Sequence, residues 1–398
     1  MANMLHKHIG IFITGGIAAY KVPNLIRMLI KAGHEVQVAM TPAAAAFVTP
    51  QTLATVSKHP VLTDQNEFAD PSHVAHVALA HWLDLALIVP ATANTIAKLT
   101  NGMADNVVTT TLLAFNGPKL IVPAMNDQMW LNVQTHANIA HLKTLGMRVL
   151  PPATGFLAEG YQAVGRMPDE AVITLFVQTY QAEQTLAGKR FVITAGGTKE
   201  RIDPVRYIGN DSSGKMGTAL ANVASALGAE VELITTANLP TLPEVHVTDV
   251  QSVADMQQAV MAHFQASDVV IMAAAVADYH VLAPSDHKLK KTSEQSGLTL
   301  QLEQNPDILK TLGETKTHQL VVGFAAETDD LLQHAQTKLA KKHADLLIAN
   351  FVGGGLGFNQ DTNAVWLMQP NTEPIQVPEA SKLEIAETIL NTIQQIRG

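Results

Sequence analysis

At 398 residues, 47% hydrophobic and only 15% charged, the chain has room for roughly two to three domains with cores of their own, and its abundance of Ala, Val and Ile suits parallel sheets covered on both faces by helices. The net charge of −9, without a run of Lys or Arg, argues against nucleic acid or an anionic membrane as a general partner, while leaving small anions open. Cysteine is absent, which excludes disulfides, thiolate metal sites and a cysteine nucleophile. No apolar stretch reaches the ~20 residues that span a bilayer, and the opening residues run into a predicted strand rather than a signal peptide, so a cytoplasmic location is expected.

In chain order, apolar runs over 8–14, 34–41, 84–92, 119–125 and 147–150 predict strands, with helical-period segments between them. That alternation predicts a doubly wound parallel sheet. The first helix is expected over 18–32, ending at Gly33 and weakened in its first turns by Pro23. A helix follows Pro168, and the polar stretch 178–188 has no strand pattern. We place a first domain at 1–180, a linker at 181–188 and a second domain at 189–398. There the pattern restarts, with strands predicted over 190–195, 230–235, 245–250, 268–275, 320–325 and 345–350. The two starts, FITGGIAAYK and VITAGGTKER, look alike, as any two nucleotide-binding strand-to-helix turns would. Between 283 and 305 the helical period disappears, and KLKK followed by TSEQSG predicts an exposed, mobile loop or hairpin able to close over a ligand.

Gly15 and Gly16 stand between the first strand and first helix, where bare amides and the positive helix end favour a phosphate. Thr41, Ala91, Thr92, Ala93 and Asn94 close two further strands, and a parallel sheet brings such ends to one ligand crevice, which points to a mononucleotide site. His73, His76 and His81 each read as a solvated or core imidazole, or as a base for a thiol or hydroxyl proton. Asn126, after the strand over 119–125, reads as a turn residue or as an uncharged amide that holds a carboxylate without forbidding its loss as CO2.

TGGIAAYK, HVALAHWLD, PATANTIAKLTNGMADN, PAMNDQMW and GFLAEGYQAVGRM, in this order, resemble the phosphopantothenoylcysteine decarboxylases of the flavin-containing cysteine decarboxylase family. The resemblance covers about residues 8–170. It implies a flavodoxin-like fold, FMN at Gly15, Gly16, Ile17, Thr41, Ala91, Thr92, Ala93 and Asn94, and active sites between the subunits of trimers. It makes His76, which opens HVALAHW, the active-site histidine, and Asn126 the residue that binds the substrate carboxylate. The family usually carries a cysteine as proton donor where this chain has Glu159. Glu159, expected beneath an apolar flap around Phe156 and Leu157, then either supplies that proton or leaves the last step slow.

In the second half, Gly196 and Gly197 again follow a strand, and Lys199, Arg201 and Arg206 read as phosphate or carboxylate ligands or as a solvated loop. The stretch around Ser212, Ser213, Gly214 and Lys215 lacks the GxxxxGK[ST] spacing of a P-loop. The run from Ala273 to Ala277 has side chains small enough to let a planar ring approach backbone, and Asp278 suits a ribose or a metal-linked water. Lys288, Lys290, Lys291, Lys338, Lys341 and Lys342 read as solubility charges by default.

AGGTKERIDPVRYIGNDSSGKMG, AAAVADY, KLKK, NPDIL, GFAAET and KLAKKHADLLIAN resemble, in order, the phosphopantothenate-cysteine ligases, over about 189–398. Together the halves resemble the fused bacterial enzymes of coenzyme A biosynthesis. The resemblance implies a Rossmann-like ligase domain that uses CTP and Mg2+ to activate 4′-phosphopantothenate as an acyl-cytidylate for attack by cysteine. Lys288, Lys338 and Lys342 would serve the triphosphate, and Asp278 the nucleotide and its Mg2+. Phe324 and Ala325 would take the cytosine through backbone groups, and Asn210 would serve the acyl-cytidylate step. Gly196, Gly197, Ser212, Ser213, Ala275, Asn305, Pro306 and Asp307 complete the CTP site. It also implies a dodecamer of decarboxylase trimers with paired ligase domains. Two other readings compete. A dinucleotide-dependent dehydrogenase lacks support, because neither half shows G-x-G-x-x-G followed by a ribose-binding acid. A regulatory flavin-binding protein is compatible with the fold, but the presence of both His76 and Asn126 argues for catalysis.

Overall fold

The structure is a computed structural model and describes residues 7–290, 297–327, 330–351 and 360–397. The chain divides into two compact units, Met1–Ala182 and Glu183–Gly398. In the first, strands β1 (His8–Ile13), β2 (Glu35–Met40), β3 (Leu85–Ala91), β4 (Lys119–Pro123) and β5 (Arg148–Val149) form a parallel sheet in the order β2-β1-β3-β4-β5. Every residue of β3 is buried, as a strand covered on both faces requires. The order is flavodoxin-like and reverses between β1 and β3, which opens a crevice at their carboxyl ends.

The first helix differs from expectation at its start. A 3-10 turn, Ile17–Lys21, leads into an α-helix, Val22–Lys31, whose first turn holds Pro23. There a missing N–H costs nothing, so the proline starts the α-helix rather than weakening it. A short antiparallel hairpin that the apolar pattern does not announce, β6 (Ala153–Phe156) with β7 (Gln162–Arg166), follows the sheet. It is fastened to the end of β4 by the Met125 N–H donating to the Gly165 carbonyl at 3.0 Å. Gly165 has φ 138°, and a Cβ there would lie 2.2 Å from the Met125 oxygen, so only glycine permits this approach.

The second unit carries β8 (Arg190–Ala195), β9 (Lys199–Arg201), β10 (Tyr207–Gly209), β11 (Glu230–Thr235), β12 (Val245–Asp249), β13 (Val269–Met272), β14 (Tyr279–Val281), β15 (Leu302–Gln304), β16 (Leu320–Glu327), β17 (Leu346–Phe351), β18 (Thr362–Met368) and β19 (Ile375–Ser381). Its main sheet runs β12-β11-β8-β13-β16-β17-β18-β19. The first six are parallel and, counted by appearance, follow the Rossmann order 3-2-1-4-5-6. The last two, which the sequence pattern does not predict, are antiparallel. Because β18 runs backward, its first residues stand at the carboxyl edge of β17, and β19 returns the chain to that same edge. β14 and β15 pair antiparallel on either side of the stretch expected as a loop or hairpin. Lys291, in the expected KLKK loop, lies outside the described residues.

Candidate functional sites

Both crevices sit at the carboxyl edges of the parallel strands. In the first unit, Thr14 Oγ1 donates to the Pro90 carbonyl at 2.6 Å and accepts from the Thr92 amide at 3.0 Å, which joins the ends of β1 and β3. Beside this clasp is a cavity of about 480 Å³, lined by Gly15, Gly16, Ile17, Thr92 and Ala93 on one side and by Asn126, Leu157 and Glu159 on the other. Thr41, Ala91 and Asn94 do not line it. Ala91 is core, Asn94 is exposed, and Thr41 Oγ1 is buried with no hydrogen-bond partner. An orphaned buried hydroxyl beside a glycine turn is where a ligand would supply the missing bond. A Cβ at Gly16 would meet nothing closer than 3.7 Å, so that turn keeps an open face. Small residues, bare amides and apolar walls fit a flat ring with a phosphate, as FMN presents.

Both ends of the Asn126 side-chain amide are engaged within the chain. Its Oδ1 accepts from the Gln128 amide at 2.9 Å and caps the helix Asp127–Leu131. Its Nδ2 donates to Glu159 Oε1 at 2.9 Å and to Tyr161 Oη at 3.0 Å. The amide is thus already directed at a carboxylate. Glu159 is exposed, so the expected burial is not provided by this chain: Leu157 is buried but Phe156 is 70% exposed. Tyr161, missed in the sequence, donates to Asp127 Oδ1 at 2.5 Å; that bond, ahead of other causes, raises the phenol above its usual range and lowers Asp127.

Of the three histidines, His73 and His81 are exposed. His76 is half-buried, and its Nδ1 lies 2.6 Å from Oε1 of the buried Glu67. Glu67 carried no signal in sequence, because a carboxylate that holds an imidazole is recognised only by proximity. The structure does not bring His76 to the cavity that holds Asn126.

In the second unit a cavity of about 520 Å³ gathers Asn210, Ser212, Ser213, Ala275, Asp278, Asn305, Pro306, Asp307, Phe324, Lys338 and Lys342. Two expected residues serve it indirectly. Ala275 N–H donates to the Gly196 carbonyl at 2.8 Å and Thr198 N–H to the Ala275 carbonyl at 3.2 Å, so Gly196 and Gly197 lock the turn against the Ala273–Ala277 run and do not line the cavity. Ala325 is fully buried, and its side chain lies on the face opposite Phe324 and Ala326, as strand alternation requires. Asn210 Nδ2 donates to the Val276 carbonyl at 3.0 Å and Asn305 Nδ2 to the Ala277 carbonyl at 2.9 Å. Lys338 Nζ donates to the Phe324 carbonyl at 3.0 Å, and Lys342 pairs with Asp307.

Lys288 is exposed and does not line the cavity. Its neighbour Leu289 is held by the buried Asp203, whose Oδ2 accepts from the Leu289 amide at 3.1 Å, while Arg206 Nη2 donates to the Leu289 carbonyl at 2.5 Å. Burial alone would raise the Asp203 carboxyl, but the amides of Val205, Leu289 and Arg206 and the Arg206 charge outweigh it and hold it below the usual range. Lys215, Asn350, Asn363 and Lys382 also line the cavity; none was singled out as a ligand in the sequence. Among the described residues no cluster of three or more His, Asp or Glu is placed to hold a metal, and no helix is long and apolar enough to cross a membrane.

Two doubly wound sheets in one chain, each with a crevice at its carboxyl edge, define a protein of two α/β domains. Residues 2–180 match the family described as Flavoprotein, and residues 186–396 the DNA/pantothenate metabolism flavoprotein C-terminal domain. The chain is 44% identical to the coenzyme A biosynthesis bifunctional protein CoaBC of Bacillus subtilis over 98% of its own length and 97% of that protein's, and 40% identical to that of Mycobacterium tuberculosis over 97% and 96%. Among solved structures, the C-terminal domain of a CoaBC covers 54% of this chain and 98% of that one at 43% identity, with a TM-score of 0.46. The chain belongs to the CoaBC family of bifunctional coenzyme A biosynthesis proteins. It is a flavoprotein enzyme with decarboxylase and ligase activities, and FMN is the flavin that goes with it. The dehydrogenase and regulatory readings are not favoured.

Proposed function

We propose that the second unit joins 4′-phosphopantothenate to cysteine at the expense of CTP, with Mg2+, and that the first unit decarboxylates the resulting 4′-phosphopantothenoylcysteine to 4′-phosphopantetheine. The observation that carries this reading is the pairing of two differently furnished crevices. One is apolar with an amide aimed at a carboxylate; the other holds lysines, carboxylates and amides around a strand edge.

In the ligase step the acid's carboxylate attacks the α-phosphorus of CTP and pyrophosphate leaves. Cysteine's amine then attacks the acyl carbon, CMP departs and the amine loses its proton. Asn210 faces the acyl-cytidylate, Asp278 takes the Mg2+, Phe324 stands by the base, and Lys338 and Lys342 compensate phosphate charge. Lys288 would reach the triphosphate only by movement of the segment that joins β14 to β15.

In the decarboxylase, Gly15, Gly16, Ile17, Thr92 and Ala93 would hold FMN, and Thr41 would give it a hydroxyl. When bound, FMN supplies reversible hydride transfer at the carbon bearing the thiol. His76, oriented by Glu67, moves the thiol proton. Asn126 holds the departing carboxylate as a neutral amide, and Glu159 donates the closing proton. Since His76 does not line the cavity of Asn126, the reading includes trimers in which a neighbouring copy completes each site, assembled into a dodecamer in the cytoplasm. The test mixes the protein with CTP, Mg2+, 4′-phosphopantothenate and cysteine and weighs the products. Pyrophosphate, CMP, CO2 and 4′-phosphopantetheine are expected; no CTP-dependent pyrophosphate would overturn the ligase half.

A further inference from the structure

The backward strand β18 and its return β19 deliver two residues to the ligase crevice that no motif signals, Asn363 and Lys382, and place Asp361 at its exposed rim. Thr362 pairs with Ser381 in that ladder, so Asp361 and Lys382 are neighbours across it, and the Lys382 amide donates to the Asp361 carbonyl at 3.2 Å. Lys382 lines the cavity and is only 8% exposed, yet its ammonium makes no hydrogen bond or ion pair among the described residues. The one nearby carboxylate is engaged elsewhere: Asp361 Oδ1 lies 2.6 Å from Lys215 Nζ, at an exposed rim where such a pair is worth little.

Two helices start at this place. The helix Lys382–Arg397 closes its own first turn with a capping box: Ser381 Oγ accepts from the Glu384 amide at 3.3 Å, and Glu384 Oε2 accepts from the Ser381 amide at 2.9 Å. The helix Lys215–Ala226 does not. Its N-cap is Gly214 at φ 77°, with no side-chain cap, and Gly214 to Gly217 line the cavity. A helix start without a side-chain cap is a favourable place for a phosphate. Two lysines facing one carboxylate leave a local surplus of positive charge. A buried, unpaired ammonium is costly unless an anion joins it. Burial first, and then the charge of Lys215, push Lys382 below the ordinary lysine range, against the opposing pull of Asp361.

We propose that Lys382, with Lys215 and the uncapped start of the helix Lys215–Ala226, forms a phosphate subsite of the ligase crevice. It rests on the ligase reading above, and either phosphate-bearing substrate, the nucleoside triphosphate or the phosphomonoester acid, presents the required chemistry. A phosphate suits the place better than a carboxylate because it offers more than one charge and enough oxygens for two ammonium groups and helix amides together.

The experiment titrates the full-length protein with inorganic pyrophosphate by calorimetry. Lys382→Gln should weaken binding about tenfold or more, the size expected when a charge-assisted hydrogen bond is lost, and Lys382→Arg should restore most of it. Asp361→Asn should tighten binding, because it removes the carboxylate that competes with a ligand for Lys215; a lysine that merely supports the fold predicts no gain from that exposed change. Comparing CTP with cytidine, and 4′-phosphopantothenate with pantothenate, assigns the subsite: the pair whose phosphate advantage shrinks in Lys382→Gln is the source. A denaturant midpoint of the second unit unchanged from that of the unmodified protein reports an intact fold. Pyrophosphate affinity unaltered by Lys382→Gln, or lowered by Asp361→Asn, overturns the proposal. Absence of CTP turnover in the unmodified protein sinks the ligase reading, whereas the pyrophosphate titration still decides the subsite.

Discussion

The two units begin with nearly the same turn, Thr14-Gly15-Gly16 and Thr194-Ala195-Gly196-Gly197, and use it in opposite ways. Gly15 is packed, since a Cβ there would fall 2.5 Å from the Ala43 Cβ, but a Cβ at Gly16 would meet only ordinary contacts from 3.7 Å outward, so Gly16 gives a ligand access to backbone. At Gly196 a Cβ would fall 2.1 Å from Thr236 Oγ1, and at Gly197 2.4 Å from the Asn210 carbonyl, so those glycines let backbone close on backbone. One motif thus serves access in one unit and packing in the other, which sequence similarity of the turns conceals. The furnishing differs to match: a few polar groups satisfied among themselves around Asn126, against a crevice where Lys382 stays unpaired.

The largest effect that separates the units is expected at His76. His76→Asn should lower decarboxylation by about 10²–10⁴-fold, the span of a lost general base, and leave CTP-dependent pyrophosphate release unchanged. Glu67→Gln should act in the same direction but less, since it removes the partner and not the base. A near-normal decarboxylation rate for His76→Asn would return the role to another group.

The glycine contrast is next. Gly196 has φ 86°, so Gly196→Ala combines a strained backbone with overpacking and should cost the second unit roughly 2–4 kcal/mol, read as a lower denaturant midpoint with the decarboxylase intact. Gly16→Ala should leave stability almost unchanged and weaken flavin retention, seen as lost yellow absorbance on dialysis. Equal destabilisation by both would remove the distinction. Smaller again is Lys288→Gln: an exposed lysine that reaches the nucleotide only as its segment moves should raise the KM for CTP by about tenfold, the size of one charged hydrogen bond, with decarboxylation unchanged. Unaltered CTP kinetics would make it a surface lysine.

How much of this was legible follows from burial. β3 is apolar and buried throughout, and β1, β8 and β17 are mostly so, because both faces are covered, and such runs announce themselves. β18 and β19 mix exposed, intermediate and buried residues without a continuous apolar run, and β9, β10, β14 and β15 have three residues each, too short for a period. Lys382 depends on those unannounced edge strands, so its place could not be read from motifs. Asn126 and His76 were legible through resemblance, whereas Glu67, Tyr161 and the Asp203 clasp on Leu289 are contacts between segments with no shared pattern.

The smallest expected effect sharpens the role of Glu159. Its carboxylate accepts from the Asn126 amide at 2.9 Å, the same amide proposed to hold the substrate's carboxylate. A donor role requires that substrate displace Glu159 from Asn126 and that its carboxyl carry a proton when the closing step comes. Glu159→Gln keeps the shape and removes both charge and proton. If Glu159 is the donor, the variant still releases CO2, the oxidised enethiol product accumulates, and 4′-phosphopantetheine forms severalfold more slowly, because water at this exposed position replaces the acid poorly. Mass analysis of the products against CO2 release measures that ratio. If Glu159 instead competes with substrate for Asn126, the neutral glutamine yields the Asn126 amide more readily, KM falls, and conversion to 4′-phosphopantetheine stays complete. The two outcomes move different quantities, product ratio in one case and KM in the other, so a single variant decides between a proton donor and a carboxylate that guards the amide.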